Sequence, residues 1–361
     1  MVKKIFAFVV VFVMASGLSY AQQSSSTSEE GMAFEHGSVA EIFAIAKAQN
    51  KYIFVDCFAD WCGPCKWMAA NVFPQKEVGE FYNANFVSYK FDMEKGEGPD
   101  FAKQYNVTSY PRYLYFSPDG ELVHMSGGSK EAEKFIQDGM NALNPEMTLY
   151  GLQTKYESGD RSPQTLMNYA NALWNANQKG NQAIGEEYLR TQDESELTSA
   201  DNWQMIERFV WNVDGREFKY LEANKATFAS LYGEKEVSQK INNTYINHFF
   251  TSKDFEAYAE YVEKLDINNN WGALNEHAWN MYEGTDNKDL LKMAAKWAKR
   301  SMELEQNYYN TDTYASILYK LGEYKESEKY ADLAIELAKK NNQKYDGTLE
   351  LKQMLKIKRK D

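Results

Sequence analysis

The chain has 361 residues, a formal net charge of −12 at pH 7 and 43% hydrophobic residues. This length leaves room for two domains, each with its own core. The excess of acidic side chains argues against binding to nucleic acid or to an anionic membrane surface.

The N-terminus has the pattern of a secretory signal peptide. Lys3 and Lys4 precede an apolar run over residues 5–14, and small residues around Ala21 offer a cleavage site. The run is short for a membrane span, so we expect a cleaved signal peptide over residues 1–21 rather than an integral membrane protein. An uncleaved anchor is the alternative. Residues 22–36 are polar and serine-rich, which predicts a flexible leader ahead of a periplasmic or secreted protein.

Residues 37–145 predict an α/β domain in which helices and strands alternate. Ser38 and Glu41 form a capping box that opens a first helix. The apolar, β-branched run over residues 51–59 predicts a buried strand, and Pro74 interrupts the helical pattern after it. The remaining predicted elements are helices at 65–72, 75–83, 99–105 and 129–143, a strand at 86–92, and a hairpin at 112–116 and 121–125.

Two cysteines three positions apart, Cys62 and Cys65, follow the first strand and open a helix. Such spacing places both sulfurs on one face and allows a small disulfide ring. Pro64 fits a first helical turn. The helix N-terminus stabilises a thiolate, which predicts Cys62 as the nucleophile and Cys65 as the resolving thiol. A purely structural disulfide and a zinc half-site are the alternatives. We predict no metal site, because Cys57 and four scattered histidines supply no second ligand pair.

Residues 54–66, which include the Cys-Gly-Pro-Cys motif, resemble the active-site strand and helix of the thioredoxin family. Residues 105–111 resemble the approach to the family's cis-proline, residues 117–120 the following hairpin turn, and residues 127–128 a glycine near the last strand. Residues 72–94 are also similar to the periplasmic thioredoxin-like domain of the transmembrane thiol reductase DsbD. The resemblance extends over about residues 38–143 and implies a thioredoxin-like sandwich.

The resemblance also implies roles for individual residues. Asp56 matches a buried aspartate, whose raised pKa would let it exchange a proton with Cys65; an ordinary strand-end aspartate is the alternative. Pro111 matches the cis-proline, beside which the backbone of Tyr110 could pair with an extended substrate. Tyr110 departs from the smaller residue that is common in the family. The other expected substrate contacts are Trp61, Gly63 and Pro64.

Two further positions have alternative interpretations. Lys90 matches a lysine that the family places near the buried aspartate, but it could equally be a solvated strand end. Cys57 replaces an aromatic residue, and strand alternation points it away from the Asp56 face. We expect Cys57 to be an inert buried thiol rather than a regulatory one.

Residues 146–361 predict an all-α array of paired helices. The clearest pair, over residues 312–337, resembles a tetratricopeptide repeat in which Gly322 forms the turn. Ala298 and Ser301 precede Ala331 and Ala334 by a spacing near that repeat's period. We expect about five to seven hairpins. Earlier pairs, such as 166–177 with 182–191, are degenerate.

The sequence therefore predicts an exported thiol–disulfide oxidoreductase, a protein disulfide reductase or exchanger that uses Cys62 and Cys65 and needs no cofactor. The helical region would bind a client protein with a disulfide or a membrane or periplasmic thiol electron donor. The alternative is a helical binding scaffold that carries a redox-sensing or structural thioredoxin domain. The direction of electron flow stays open between reductase, oxidase and isomerase.

Overall fold

The computed structural model describes residues 31–358. The predicted signal peptide and residues 22–30 of the predicted leader lie outside the described residues. The chain divides into two compact units. One consists of the described residues up to Ser158 together with Ala172–Gln178, and the other of Gly159–Asn171 with the chain from Lys179 onward.

The first unit is built on a four-stranded mixed sheet. Strand β1 pairs in parallel with β2 and antiparallel with β3, which pairs antiparallel with β4. The sheet order is therefore β2-β1-β3-β4. The strands are β1 (Tyr52–Phe58), β2 (Phe86–Asp92), β3 (Arg112–Phe116) and β4 (Leu122–Gly127).

Six helices accompany this sheet, and the first shows how local sequence sets their limits. The Ser38 side chain accepts a hydrogen bond from Glu41 N–H, and the Glu41 carboxylate accepts one from Ser38 N–H, so the predicted capping box is confirmed. Asn50, in the left-handed conformation, ends the helix. The helices are α1 (Val39–Gln49), α2 (Gly63–Asn71), α3 (Lys76–Asn85), α4 (Gly98–Gln104), α5 (Ala132–Leu143) and α6 (Leu149–Glu157).

An aromatic core fixes one face of the sheet against α2, α3 and α5. Phe54 on the central strand packs edge-on against Tyr82 and Phe135, whose rings stack 4.5 Å apart. The hydroxyl of Tyr82 donates to the carbonyl of Phe135 at 2.8 Å, so its buried polar atom is satisfied. This packing holds strand β1 against helices α3 and α5.

Helix α6 belongs to the first unit. The backbone N–H of Leu149, at the start of α6, donates to Nδ1 of buried His124 on β4 at 3.0 Å. His124 therefore satisfies one of the unpaired donors of a helix N-terminus. Burial lowers the pKa of His124 to about 4, so the imidazole stays neutral and can accept this bond.

The second unit is entirely helical among the described residues. Helix α7 (Pro163–Asn175) contributes residues to both units. A short 3-10 helix, Glu194–Glu196, precedes α9. The remaining helices are α8 (Asn181–Arg190), α9 (Ala200–Phe209), α10 (Arg216–Ala223), α11 (Lys225–Tyr232), α12 (Glu234–Thr251), α13 (Phe255–Val262), α14 (Trp271–Gly284), α15 (Lys288–Leu304), α16 (Tyr308–Leu321), α17 (Tyr324–Lys340) and α18 (Asp346–Lys358).

The fold class predicted for both regions is confirmed. Helix α8 packs on α9. Residues 172–178, at the end of α7 and just beyond it, belong to the first unit, and the predicted pairing of residues 166–177 with 182–191 stays a prediction. Among the described residues, no helix has the length and apolar character needed to cross a membrane.

Candidate active site

Cys62 and Cys65 form a disulfide at the start of helix α2, with their Cα atoms 5.3 Å apart. Cys62 is the N-cap residue, in extended conformation, and the helix begins at Gly63. The backbone N–H of Cys65 donates to Sγ of Cys62 at 3.1 Å. One of the unpaired donors of the helix end is therefore aimed at the Cys62 sulfur.

The two cysteines differ in electrostatic setting more than in exposure. In the disulfide form, Cys62 is 2% exposed and Cys65 is 5% exposed. Only the Cys62 sulfur caps the helix, where the dipole and the N–H of Cys65 favour a negative charge. The geometry therefore supports Cys62 as the thiol that ionises more readily after reduction.

Asp56 lies on strand β1, ahead of the cysteines, and is 1% exposed. Neither carboxyl oxygen has a hydrogen-bond partner among the described residues. Burial raises the pKa of Asp56 to about 6, although Lys90 lowers it in part. Lys90 Nζ lies 3.7 Å from Asp56 Oδ2, so Lys90 is beside the carboxylate rather than only a solvated strand end. A carboxyl that titrates near neutrality can exchange protons at working pH.

An aromatic pair, exposed Trp61 and half-buried Tyr110, lies next to the disulfide. Trp61 is 68% exposed, and its ring meets that of Tyr110 edge-on at 5.8 Å. The indole Nε1 donates to Oε1 of Glu94 at 2.8 Å, which fixes the ring orientation. Gly63 and Pro64 are also exposed, on the first turn of α2. Trp61 and Tyr110 thus form an apolar surface that a partner could cover.

The Tyr110–Pro111 peptide bond is cis, which confirms that expectation. The carbonyl of Pro111 accepts a hydrogen bond from Gly128 N–H at 3.0 Å. Within residues 31–358, the backbone N–H and carbonyl of Tyr110 make no hydrogen bond. Both groups are thus unused within the described fold.

The third cysteine, Cys57, is free and fully buried. It pairs with Arg112 across the sheet. Burial, reinforced by the charge of Asp56, raises the pKa of the Cys57 thiol well above its usual value. Such a thiol is protonated and unreactive at neutral pH, in agreement with the expected inert role.

Sequence reasoning missed Glu94 and Arg112 as parts of this region. Glu94 follows strand β2 by two positions, and nothing in the local pattern indicated its bond to Trp61. Arg112 did leave a signal, because it is a lone charge that opens the apolar strand over residues 112–116. Within the described residues, no three His, Cys, Asp or Glu side chains are placed to hold a metal ion.

A mixed sheet whose central strand leads into a Cys-Gly-Pro-Cys disulfide at a helix N-terminus defines a class, the thiol–disulfide oxidoreductase domains. The model of the thioredoxin-like domain family matches residues 39–138. Through this region the chain belongs to the thioredoxin-like family.

The chain is also similar to individual proteins. Thioredoxin-1 of Saccharomyces cerevisiae is 35% identical over 95 residues, which are 26% of this chain and 86% of the yeast protein. The thiol:disulfide interchange protein DsbD of Pseudomonas fluorescens is 32% identical over 95 residues, which are 26% of this chain and 16% of that protein. A putative disulphide-isomerase from Bacteroides thetaiotaomicron has a solved structure with 37% identity and a TM-score of 0.30; the match covers 32% of this chain and 95% of that one.

The similarity is confined to one part of longer proteins in several cases. The chain spans 45% of a thioredoxin-2 from Pyricularia oryzae and 16% of the Pseudomonas protein. Each of these two matches covers about a quarter of this chain.

Proposed function

We propose that this protein is an exported thiol–disulfide oxidoreductase that reduces or exchanges disulfides in other exported proteins through Cys62 and Cys65. The observation that carries the proposal is the Cys62–Cys65 disulfide, with the Cys65 N–H donating to Cys62 Sγ at the start of α2. Relatives named thioredoxin and thiol:disulfide interchange protein support the same activity.

In the reducing direction the reaction starts from the dithiol. The Cys62 thiolate attacks one sulfur of the client's disulfide, so a Cys62–client bond forms as the client's S–S bond breaks. The released client thiolate takes a proton from solvent. Cys65 then loses its proton, attacks Cys62 Sγ and releases the second client thiolate, which is also protonated. Two electrons pass to the client, and the Cys62–Cys65 disulfide is formed.

Asp56 is the proposed acceptor for the Cys65 proton. Its pKa of about 6 lets it be ionised at neutral pH and still hold a proton transiently. Lys90, 3.7 Å away, favours the ionised form, which is the form that can accept a proton. Asp56 and Lys90 together would therefore tune the resolving step.

The client would bind as an extended segment beside the sulfurs. The unused backbone N–H and carbonyl of Tyr110 can pair with such a segment, as a sheet edge does. Trp61 and Tyr110 offer apolar contact area next to Cys62, with Gly63, Pro64 and Pro111 completing the expected contact surface. The protein would then distinguish between clients by the side chains that lie near the client's disulfide.

We further propose that residues 146–361 include a tetratricopeptide-like array that binds the client or the electron donor. Four small residues at the repeat spacing are fully buried, as close helix packing requires. Gly322, in the left-handed conformation, ends α16 before α17 begins. The four residues are Ala298, Ser301, Ala331 and Ala334.

The pattern of residues 1–21 supports export to the periplasm or the exterior, where disulfides persist. A dithiol in such a compartment must be re-reduced, so the proposal includes a membrane or periplasmic dithiol donor that returns two electrons to Cys62–Cys65.

The test is trapping of the covalent intermediate by full-length protein in its reduced form. Cys65→Ser cannot resolve the mixed disulfide. Incubation with insulin should therefore yield, on a non-reducing gel, a band of enzyme joined to an insulin chain, which dithiothreitol releases. Cys62→Ser is the matched control and should give no adduct. If the Cys65→Ser protein forms none, or if the intact protein cannot reduce insulin, the proposed function is wrong.

A further inference from the structure

Arg112 directly follows the loop of Ser109, Tyr110 and Pro111, and its side chain is almost completely buried. It opens strand β3 and is 2% exposed. A buried guanidinium normally requires hydrogen-bond acceptors, because its donors lose their contact with water. Burial also lowers the pKa of Arg112. The hydrogen-bond partners of Arg112 therefore indicate what this buried charge does.

The guanidinium of Arg112 has acceptors in two separate segments of the first unit. Nη2 donates to Oγ of Ser109 at 3.1 Å, and Nη1 donates to the carbonyl of Ala176. Ala176 follows the last residue of helix α7, where carbonyls lack helical partners. The planar fork of an arginine can serve both acceptors at once, which a lysine ammonium cannot do in the same geometry.

The backbone of strand β4 and the residue after it also hold the loop. Gly128 N–H donates to the Pro111 carbonyl at 3.0 Å. A Cβ atom at Gly127 would lie 3.0 Å from the Pro111 carbonyl oxygen and 3.5 Å from Arg112 Nη1. This close approach and the hydrogen bonds of the Arg112 guanidinium together leave the loop little freedom to shift.

We propose that Arg112 is a positioning residue that fixes the loop of Ser109, Tyr110 and Pro111 for an extended polypeptide substrate. The inference rests on the proposed function. Arg112 acts through Ser109, one position before Tyr110, and bonds to neither sulfur of the disulfide. A polypeptide that pairs with the Tyr110 backbone should depend on it, whereas a small disulfide that needs only the sulfurs should not.

The test compares two substrates in single-turnover reactions of pre-reduced, full-length protein. One is insulin and the other is bis(2-hydroxyethyl) disulfide. Ser109→Ala removes the hydrogen bond between Arg112 and Ser109, and residue 109 is exposed. Arg112→Lys keeps the positive charge but not the planar guanidinium. Loss of one such hydrogen bond should lower the second-order rate constant for insulin about fivefold, with an unchanged rate for the small disulfide.

Arg216→Lys is the matched control. Arg216 Nη2 also donates to helix-end carbonyls, those of Leu189 and Gln192, but in the second unit. This variant should react with both substrates as the unaltered protein does.

Unchanged insulin rates for Ser109→Ala, or equal losses with both substrates, would overturn the role of Arg112. If Arg112→Lys does not fold, the Ser109→Ala result alone decides. Failure of the unaltered protein to reduce insulin is a different outcome, because it overturns the proposed function itself.

Discussion

Lys90 Nζ lies 3.7 Å from Oδ2 of Asp56, a carboxyl that is buried on the strand leading to Cys62 and Cys65. Lys90 is partly exposed and also lies over the rings of Phe34 and Phe58. The ammonium lowers the pKa of Asp56, but burial raises it more, to about 6. A group poised in this way should affect both stability and catalysis.

Asp56→Asn should increase the free energy of unfolding near pH 8. The folded-state pKa of Asp56 is about 6, above its ordinary value of 3.8, so ionisation of this group opposes folding. This penalty is absent below about pH 4, grows as the pH rises to about 6 and is then constant, at up to about 3 kcal/mol. Urea unfolding should show that Asp56→Asn is more stable than the unaltered protein near pH 8. This difference in the free energy of unfolding should be smaller near pH 4.

Asp119→Asn is the matched control for this measurement. Asp119 is also ion-paired with a lysine, Lys47 at 3.3 Å, but both side chains are exposed. An exposed pair contributes little, so this variant should change stability by less than about 1 kcal/mol at both pH values. A less stable Asp56→Asn protein near pH 8 would contradict the pKa argument.

Lys90→Met should move the pH dependence of client reduction upward. Without the ammonium, the pKa of Asp56 rises further above its ordinary value, so the carboxylate becomes available as a base only at higher pH. The pH profile of insulin reduction by full-length protein measures this. Lys47→Met should leave the profile unchanged, and a downward shift for Lys90→Met would exclude Asp56 as the proton acceptor.

Trp61→Ala should weaken client binding by removing most of the aromatic surface beside Cys62. Loss of an exposed indole that a partner covers should raise KM for insulin about tenfold, with a smaller change in kcat. Trp67→Ala is the control, because Trp67 is 39% exposed on helix α2, which begins two residues after Trp61, and has no assigned contact with the client. Equal effects of the two substitutions would mean that Trp61 has no special role.

His124→Asn should reduce the loss of stability on acidification. The folded-state pKa of His124 is about 4, below its ordinary value of 6.5, so protonation opposes folding and stability falls as pH drops between these values. Asparagine keeps an acceptor for the Leu149 N–H but does not titrate. Between about pH 7 and pH 4, the free energy of unfolding should fall less for this variant than for the control His36→Asn, which changes an exposed histidine. An equal fall in the free energy of unfolding for the two variants would contradict the lowered pKa of His124.

Local sequence was enough to predict the elements that surround the site. The apolar run over residues 51–59 became β1 (Tyr52–Phe58), and the predicted strand at 86–92 has the bounds Phe86–Asp92. Both strands are buried and carry β-branched or aromatic residues, which is the strongest local signal for a strand. The Cys62–Cys65 pair was readable for a similar reason, because its chemistry depends on residues three positions apart.

Contacts between distant residues could not be predicted in this way. Trp61 and Glu94 are 33 positions apart, and Arg112 and Ala176 are 64 apart. Neither pair has a periodic pattern that marks its members as partners. The same limit applies to the helical region, since helical periodicity reveals an apolar face but not the surface that covers it.

That Cys62 is the nucleophile is tested most directly by the pH dependence of alkylation at each cysteine of the reduced, full-length protein. Iodoacetamide labelling followed by peptide mass spectrometry should show Cys62 reacting first, with an apparent pKa below the ordinary thiol value of about 8.5. Cys65 should react later, and buried Cys57 should stay unlabelled. Preferential labelling of Cys65, or a Cys62 pKa at or above the ordinary value, would contradict the account.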